Sequence, residues 1–117
     1  MDSAAHVADL ARFVTTSPSS YHAASEVAER AAAAGFVELD ETADWAVDVA
    51  PGARVVVVRD GAVIVVAVPE GATTTTPFRI VGAHTDSPGF KLKPKPTTAA
   101  AGWLQAGVEI YGGPLLN

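Results

Sequence analysis

Val55-Val56-Val57-Val58-Arg59-Asp60-Gly61-Ala62-Val63-Ile64-Val65-Val66-Ala67-Val68 carries the clearest local signal in the chain. Two β-branched runs flank an Asp-Gly pair. That spacing predicts a β-hairpin closed by a type I′ turn, because both central positions of such a turn need positive φ. Pro51-Gly52 precedes the hairpin and Pro69-Glu70-Gly71 ends it. Both arms are apolar at every position rather than at alternate ones. Cover on both faces is therefore expected, as in a layered α/β domain.

On the N-terminal side the apolar period is helical. Val7, Leu10, Ala11 and Val14 recur at 3/4 spacing, which predicts a helix over residues 3–14 with Ser3 as N-cap. Pro18 biases Ser17 away from the α region, so residues 15–20 read as a linker. A second helix is expected over residues 20–34, with Ala24, Val27, Ala31 and Ala34 as its stripe. Glu26 and Arg30 sit at i,i+4 in the favourable order, and Gly35 stands where a helix C′ residue belongs. Residues 36–39 and 45–49 are then expected as short strands.

On the C-terminal side, residues 73–76 are a run of four threonines, expected as an exposed loop. Residues 78–83 read as a strand leading into His84-Thr85-Asp86-Ser87-Pro88-Gly89. Lys91, Lys93 and Lys95 alternate with Leu92, Pro94 and Pro96. Such a run suits an edge strand or extended segment. Residues 97–102 are small and polar, and 103–111 read as a further strand.

The 117 residues fit one domain of ordinary size, with 49% hydrophobic and 18% charged residues. That balance excludes intrinsic disorder. A net charge of -5 without a basic face argues against a nucleic-acid partner. The sequence has no apolar run of spanning length, which gives no membrane partner. Met1-Asp2-Ser3 is no secretory start, so a cytoplasmic protein is expected. With no cysteine, disulfides, thiolate metal sites and a cysteine nucleophile are excluded.

Three histidines are present. His6 and His22 fall on expected helices with no partner at ligand spacing, which suits surface or packing roles. His84 follows an apolar strand, and open α/β sheets place their ligands at the carboxyl ends of strands. Asp86 lies two residues on, on the same side if the chain stays extended. A carboxylate beside a metal-binding His fixes its tautomer and strengthens it as a donor. A His-Asp pair at a strand end also arises without any ligand, so both readings stand at this level. No Gly-x-Ser-x-Gly elbow, P-loop or dinucleotide fingerprint occurs. The three lysines suit either an acidic substrate or a solvated edge. Asp40, Glu41, Asp44 and Asp48 form an acidic patch without metal-ligand spacing.

Ile80-Val81-Gly82-Ala83-His84-Thr85-Asp86-Ser87-Pro88-Gly89-Phe90-Lys91-Leu92-Lys93-Pro94 resembles the signature around the first metal ligand of the M18 metallopeptidases, the aspartyl aminopeptidase family. Ser17-Pro18-Ser19-Ser20-Tyr21-His22-Ala23 resembles the family's N-terminal helix junction. Ala34-Gly35-Phe36, followed by Leu39, Glu41 and Trp45, is similar to the next segment. Val108-Glu109-Ile110-Tyr111-Gly112-Gly113-Pro114-Leu115-Leu116 is similar to a later one. The likeness thus runs along nearly the whole chain.

The resemblance implies the N-terminal part of an α/β catalytic domain, a mixed sheet with flanking helices, over residues 1–96. It implies that 97–117 begin an inserted dimerisation domain. It further implies a cytosolic aminopeptidase that removes N-terminal Asp or Glu from peptides and assembles into a homo-oligomer. The family uses two zinc ions, other divalent metals being compatible, to polarise the scissile carbonyl and activate a bridging water. His84 matches a zinc ligand, and Asp86 the catalytic-site aspartate that orients it. The family's other ligands and its general base have no counterpart in 117 residues, so the chain reads as a truncated portion, inactive alone. Two rival readings are a non-catalytic module that pairs a partner through its sheet edges, and a small α/β domain whose His84-Asp86 pair is structural.

Overall fold

The computed structural model describes residues 2–46 and 48–113. They fall into two compact units, divided between Thr85 and Asp86.

In the first unit, helix α1 spans Ser3–Thr16 and α2 spans Ser20–Ala33. Asp2, not Ser3, caps α1: its carboxylate accepts from the Ala4 N–H at 3.4 Å. A residue inside the first turn has helical φ/ψ, so the extended residue before it takes the cap. The stripe of Val7, Leu10 and Val14 stays exposed, and α1 buries none of its residues. Arg30 links α1 to α2. Its guanidinium lies 2.8 Å from Asp9, 2.7 Å from Glu26 and 5.2 Å from the centre of the Phe13 ring.

The C-terminus of α2 is a Schellman turn. The Phe36 N–H donates to the Ala31 carbonyl at 3.0 Å and the Gly35 N–H to that of Ala32 at 2.9 Å. Gly35 has φ +84°, a conformation that costs an L-residue energy. Phe36 then packs against the cluster of Ala28, Ala31 and Val56.

Strand β1 (Val37–Glu38) pairs parallel with β2 (Arg54–Arg59), which pairs antiparallel with β3 (Ala62–Ala67). The order is β1-β2-β3. Helix α2 packs on this sheet. Ala28 and Ala31 meet Val56, which is fully buried, with Phe36, Val58 and Val63 around them. The buried face of α2 is Ala23, Ala24, Ala28 and Ala31. Val27 is only partly covered and Ala34 is exposed, so the face is rotated from the expected stripe.

Val55, Val56 and Val57 are all buried, so central strand β2 is covered on both faces as expected. Strand β3 departs from that expectation: it is an edge strand, and Ile64 and Val65 are both exposed. The hairpin register is the expected one, with Arg59 opposite Ala62. The turn is not type I′, because Asp60 has φ +52° but Gly61 lies outside the left-handed region. Glycine is needed at 61 for room. A Cβ there would lie 2.6 Å from Ser20 Oγ and 2.8 Å from Ser20 Cβ.

Two expected strands do not form. The described residues of 45–49 are turns, in which Trp45 Nε1 donates to the Asp40 carbonyl at 2.8 Å. Val47 lies outside the described residues, as do Pro114, Leu115 and Leu116. Residues 78–83 have no strand partner among the described residues. Local β-propensity supplies a half-buried, pleated surface only where a neighbour offers its backbone groups.

The second unit is a hairpin of β4 (Gly89–Ala100) and β5 (Trp103–Tyr111). The lysine-proline run lies in β4 at its irregularity: Leu92 pairs with Val108 and Thr97 with Ala106, so residues 93–96 face Gly107. Pro94 and Pro96 cannot donate to a ladder, and a bulge needs no donor from them. A Cβ at Gly107 would meet the Pro96 carbonyl at 3.3 Å. Residues 97–100 pair with 103–106 around Ala101 (φ +50°) and Gly102 (φ +81°). The two successive positive φ values expected at Asp60-Gly61 thus occur here.

Candidate metal-ligand segment

His84 and Asp86 stand on opposite sides of the boundary between the two units. His84 is exposed and follows the unpaired stretch of residues 78–83, in which Phe78, Ile80 and Val81 are almost fully exposed. The expected buried strand leading to His84 is therefore not formed among the described residues.

Each flank of the segment is anchored within its own unit. In the first, the Thr85 hydroxyl donates to the Gly61 carbonyl at 2.5 Å, tying the residue after His84 to the β2–β3 turn. In the second, the Tyr111 hydroxyl donates to Asp86 Oδ2 at 3.0 Å. Tyr111 is the register partner of Gly89. The next residue, Gly112, has φ +75°, and a Cβ on it would lie 3.1 Å from Pro88 Cα. The end of β5 is thus pressed against the Asp86–Pro88 turn. Its hydrogen bond to Asp86 and the charge of that carboxylate hold the Tyr111 phenol above its ordinary pKa.

Sequence reasoning missed Thr85 and Tyr111. Their partners lie 24 and 25 residues away, so no local pattern announces them.

The other candidates stay apart. His22 Nδ1 is 2.7 Å from Ser19 Oγ, a contact local to the start of α2. In the acidic patch, Asp40 accepts from the Thr42 hydroxyl and N–H, which lowers its pKa, and Glu41 pairs with Arg59. Lys91, Lys93 and Lys95 are exposed along β4. An imidazole with a nearby carboxylate is a donor type that zinc accepts, but a zinc centre needs three or four protein ligands. Among the described residues no group of three His, Cys, Asp or Glu is placed to hold a metal ion. The donor set present is therefore incomplete, and His84 counts as one ligand at most.

A helix-backed mixed α/β sheet followed by a His-Thr-Asp-Ser-Pro-Gly turn and a long hairpin defines the class of the chain as a part of a layered α/β domain. The sequence model of the family described as "Aminopeptidase I zinc metalloprotease (M18)" matches residues 13–117. The chain belongs to the M18 peptidase family. It is 55% identical over 112 residues to a probable M18 family aminopeptidase 2 of Streptomyces avermitilis, covering 96% of this chain and 25% of that protein. A protein of the same description from Mycobacterium leprae is 42% identical over 113 residues, 97% of this chain and 26% of the relative. The chain thus spans about a quarter of the length of the curated relatives it matches. Among solved structures, a chain of the cryo-EM structure of the Ape4 and Nbr1 complex superposes with a TM-score of 0.83 at 40% identity. That match covers 90% of this chain and 20% of the other.

Proposed function

We propose that residues 1–117 are the N-terminal part of a zinc-dependent aminopeptidase that releases acidic residues, Asp or Glu, from peptide N-termini. In this reading His84 is one zinc ligand and Asp86 orients its imidazole. The remaining ligands and the general base belong to the part of the family domain that this chain does not span. The whole enzyme is a cytoplasmic homo-oligomer with two metal ions, and residues from 97 onwards lead into its dimerisation domain. The observation that carries the reading is the family match over residues 13–117, which includes the His84-to-Gly89 segment. This chain contributes a donor and its orienter, and by itself it hydrolyses nothing.

A second reading, a non-catalytic module that pairs with a partner chain, draws on the exposed edge strand β3 and the exposed apolar side chains of Phe78, Ile80 and Val81. Determining the reading frame beyond Asn117 and assaying both lengths of protein separates the two. The longer protein is expected to cleave Asp- and Glu-anilides in the presence of zinc in preference to Leu-anilide. The 117-residue chain is expected to stay at the metal-only background. His84→Ala in the longer protein is expected to abolish turnover and lower zinc content. Turnover by the short chain, or a His84→Ala enzyme with wild-type rate and zinc content, refutes the assignment. A frame that stops at Asn117 favours the module.

A further inference from the structure

We propose that Tyr111 is a positioning residue for Asp86, clamping its carboxylate from the end of β5. This rests on the reading above, in which Asp86 orients the His84 imidazole. A carboxylate can rotate about its Cβ–Cγ bond, and rotation redirects the lone pairs of both oxygens. A donor fixed on Oδ2 sets the carboxylate plane and therefore the direction in which the other oxygen accepts. The Tyr111 hydroxyl is that donor, at 3.0 Å.

The backbone holds this donor in place from both sides. Tyr111 pairs with Gly89 at the first residue of β4, and Gly112 lies against Pro88 too closely to admit a Cβ without displacement. The phenol ring is thereby delivered to the turn by strand pairing rather than by a flexible loop. Tyr111 is half-exposed, so water competes for the same carboxylate and the effect is graded, not absolute.

The test uses the full-length natural protein and a double-mutant cycle of Tyr111→Phe and Asp86→Ala. Two readouts are taken for each variant: kcat/KM on an Asp-anilide, and zinc affinity by competition with a chromophoric chelator. Tyr111→Phe, which keeps the ring, is expected to lower both about three- to tenfold, the range of one net hydrogen bond, with an unchanged melting temperature. In the Asp86→Ala background the same substitution is expected to change neither. Tyr21→Phe, which removes the other tyrosine hydroxyl of these 117 residues, is the control and is expected to be silent. Wild-type values for Tyr111→Phe overturn the proposal. Losses that add independently of Asp86 also overturn it, as does a fall in melting temperature that accounts for the lost rate. If Asp86→Ala is itself unimpaired, the orienting role of Asp86 fails first. If Asp86→Ala is crippled and Tyr111→Phe is not, only the clamp fails.

Discussion

Gly61→Ala is expected to destabilise the first unit through a clash, not through backbone strain. Gly61 is outside the left-handed region, so alanine could adopt its φ without penalty. The obstacle is Ser20, the first residue of α2. The new Cβ would lie 2.6 Å from Ser20 Oγ and 2.8 Å from Ser20 Cβ, with the Ser20 carbonyl carbon at 3.4 Å. Carbon atoms in contact prefer about 3.5–4.0 Å. The hydroxyl can rotate away; the Ser20 Cβ cannot move without the helix. Relief therefore requires shifting either the hairpin turn or the start of α2, and forced insertions of this size cost about 1–3 kcal/mol. For a domain near 100 residues that lowers the melting temperature by about 4–8 °C per kcal/mol.

The assay is thermal and urea unfolding followed by helix circular dichroism. Ser20→Gly removes the obstructing atoms and is expected to rescue most of the loss once its own cost is subtracted. Ser20→Ala keeps the Cβ and is expected to rescue little. An unchanged midpoint for Gly61→Ala, or an equal loss in the Ser20→Gly background, would refute the steric argument. The clash also bears on the candidate segment, because the Gly61 carbonyl is the acceptor that holds Thr85 beside His84.

Gly35→Ala presents the opposite case: nothing lies within 4 Å of its Cβ, but φ is +84°, so a loss of about 1–2 kcal/mol in chemical denaturation is expected from conformation alone, with Gly35→Asn losing less. In the full-length protein, Asp86→Asn is expected to cost about 10–100-fold in zinc affinity or rate, while Ser87→Ala costs little; comparable losses in both would show that the segment has been misassigned. The hydrogen bond from Arg30 holds the Asp9 carboxyl below its ordinary pKa. The advantage of the wild type over Asp9→Asn should then be complete above about pH 4 and vanish as pH falls through that lowered value. Equal unfolding midpoints of the two proteins at neutral pH would refute it.

Family membership was legible because the His84-to-Gly89 turn and its flanks keep a distinctive residue order, and order survives without coordinates. The anchors of the segment were not legible. Thr85 reaches Gly61 and Tyr111 reaches Asp86 across more than twenty residues each, and only a folded backbone brings such pairs together.

The sequence by itself determined the elements whose causes are local. The two helices follow from a 3.6-residue apolar period, the Schellman turn from Gly35, the Glu26–Arg30 pair from i,i+4 spacing, and the β2–β3 hairpin from two β-branched runs around Asp60-Gly61. Tertiary structure alone decided which strands found partners. Val37–Glu38 lies parallel to β2 across an intervening loop, while residues 78–83 have no strand partner among the described residues. It also decided the turn geometries: Gly61 serves close packing against Ser20, and the two left-handed residues fall at Ala101-Gly102 instead. The physical reason is that a helix satisfies its backbone within a few residues. A strand borrows its hydrogen bonds from a neighbour whose position no local pattern encodes.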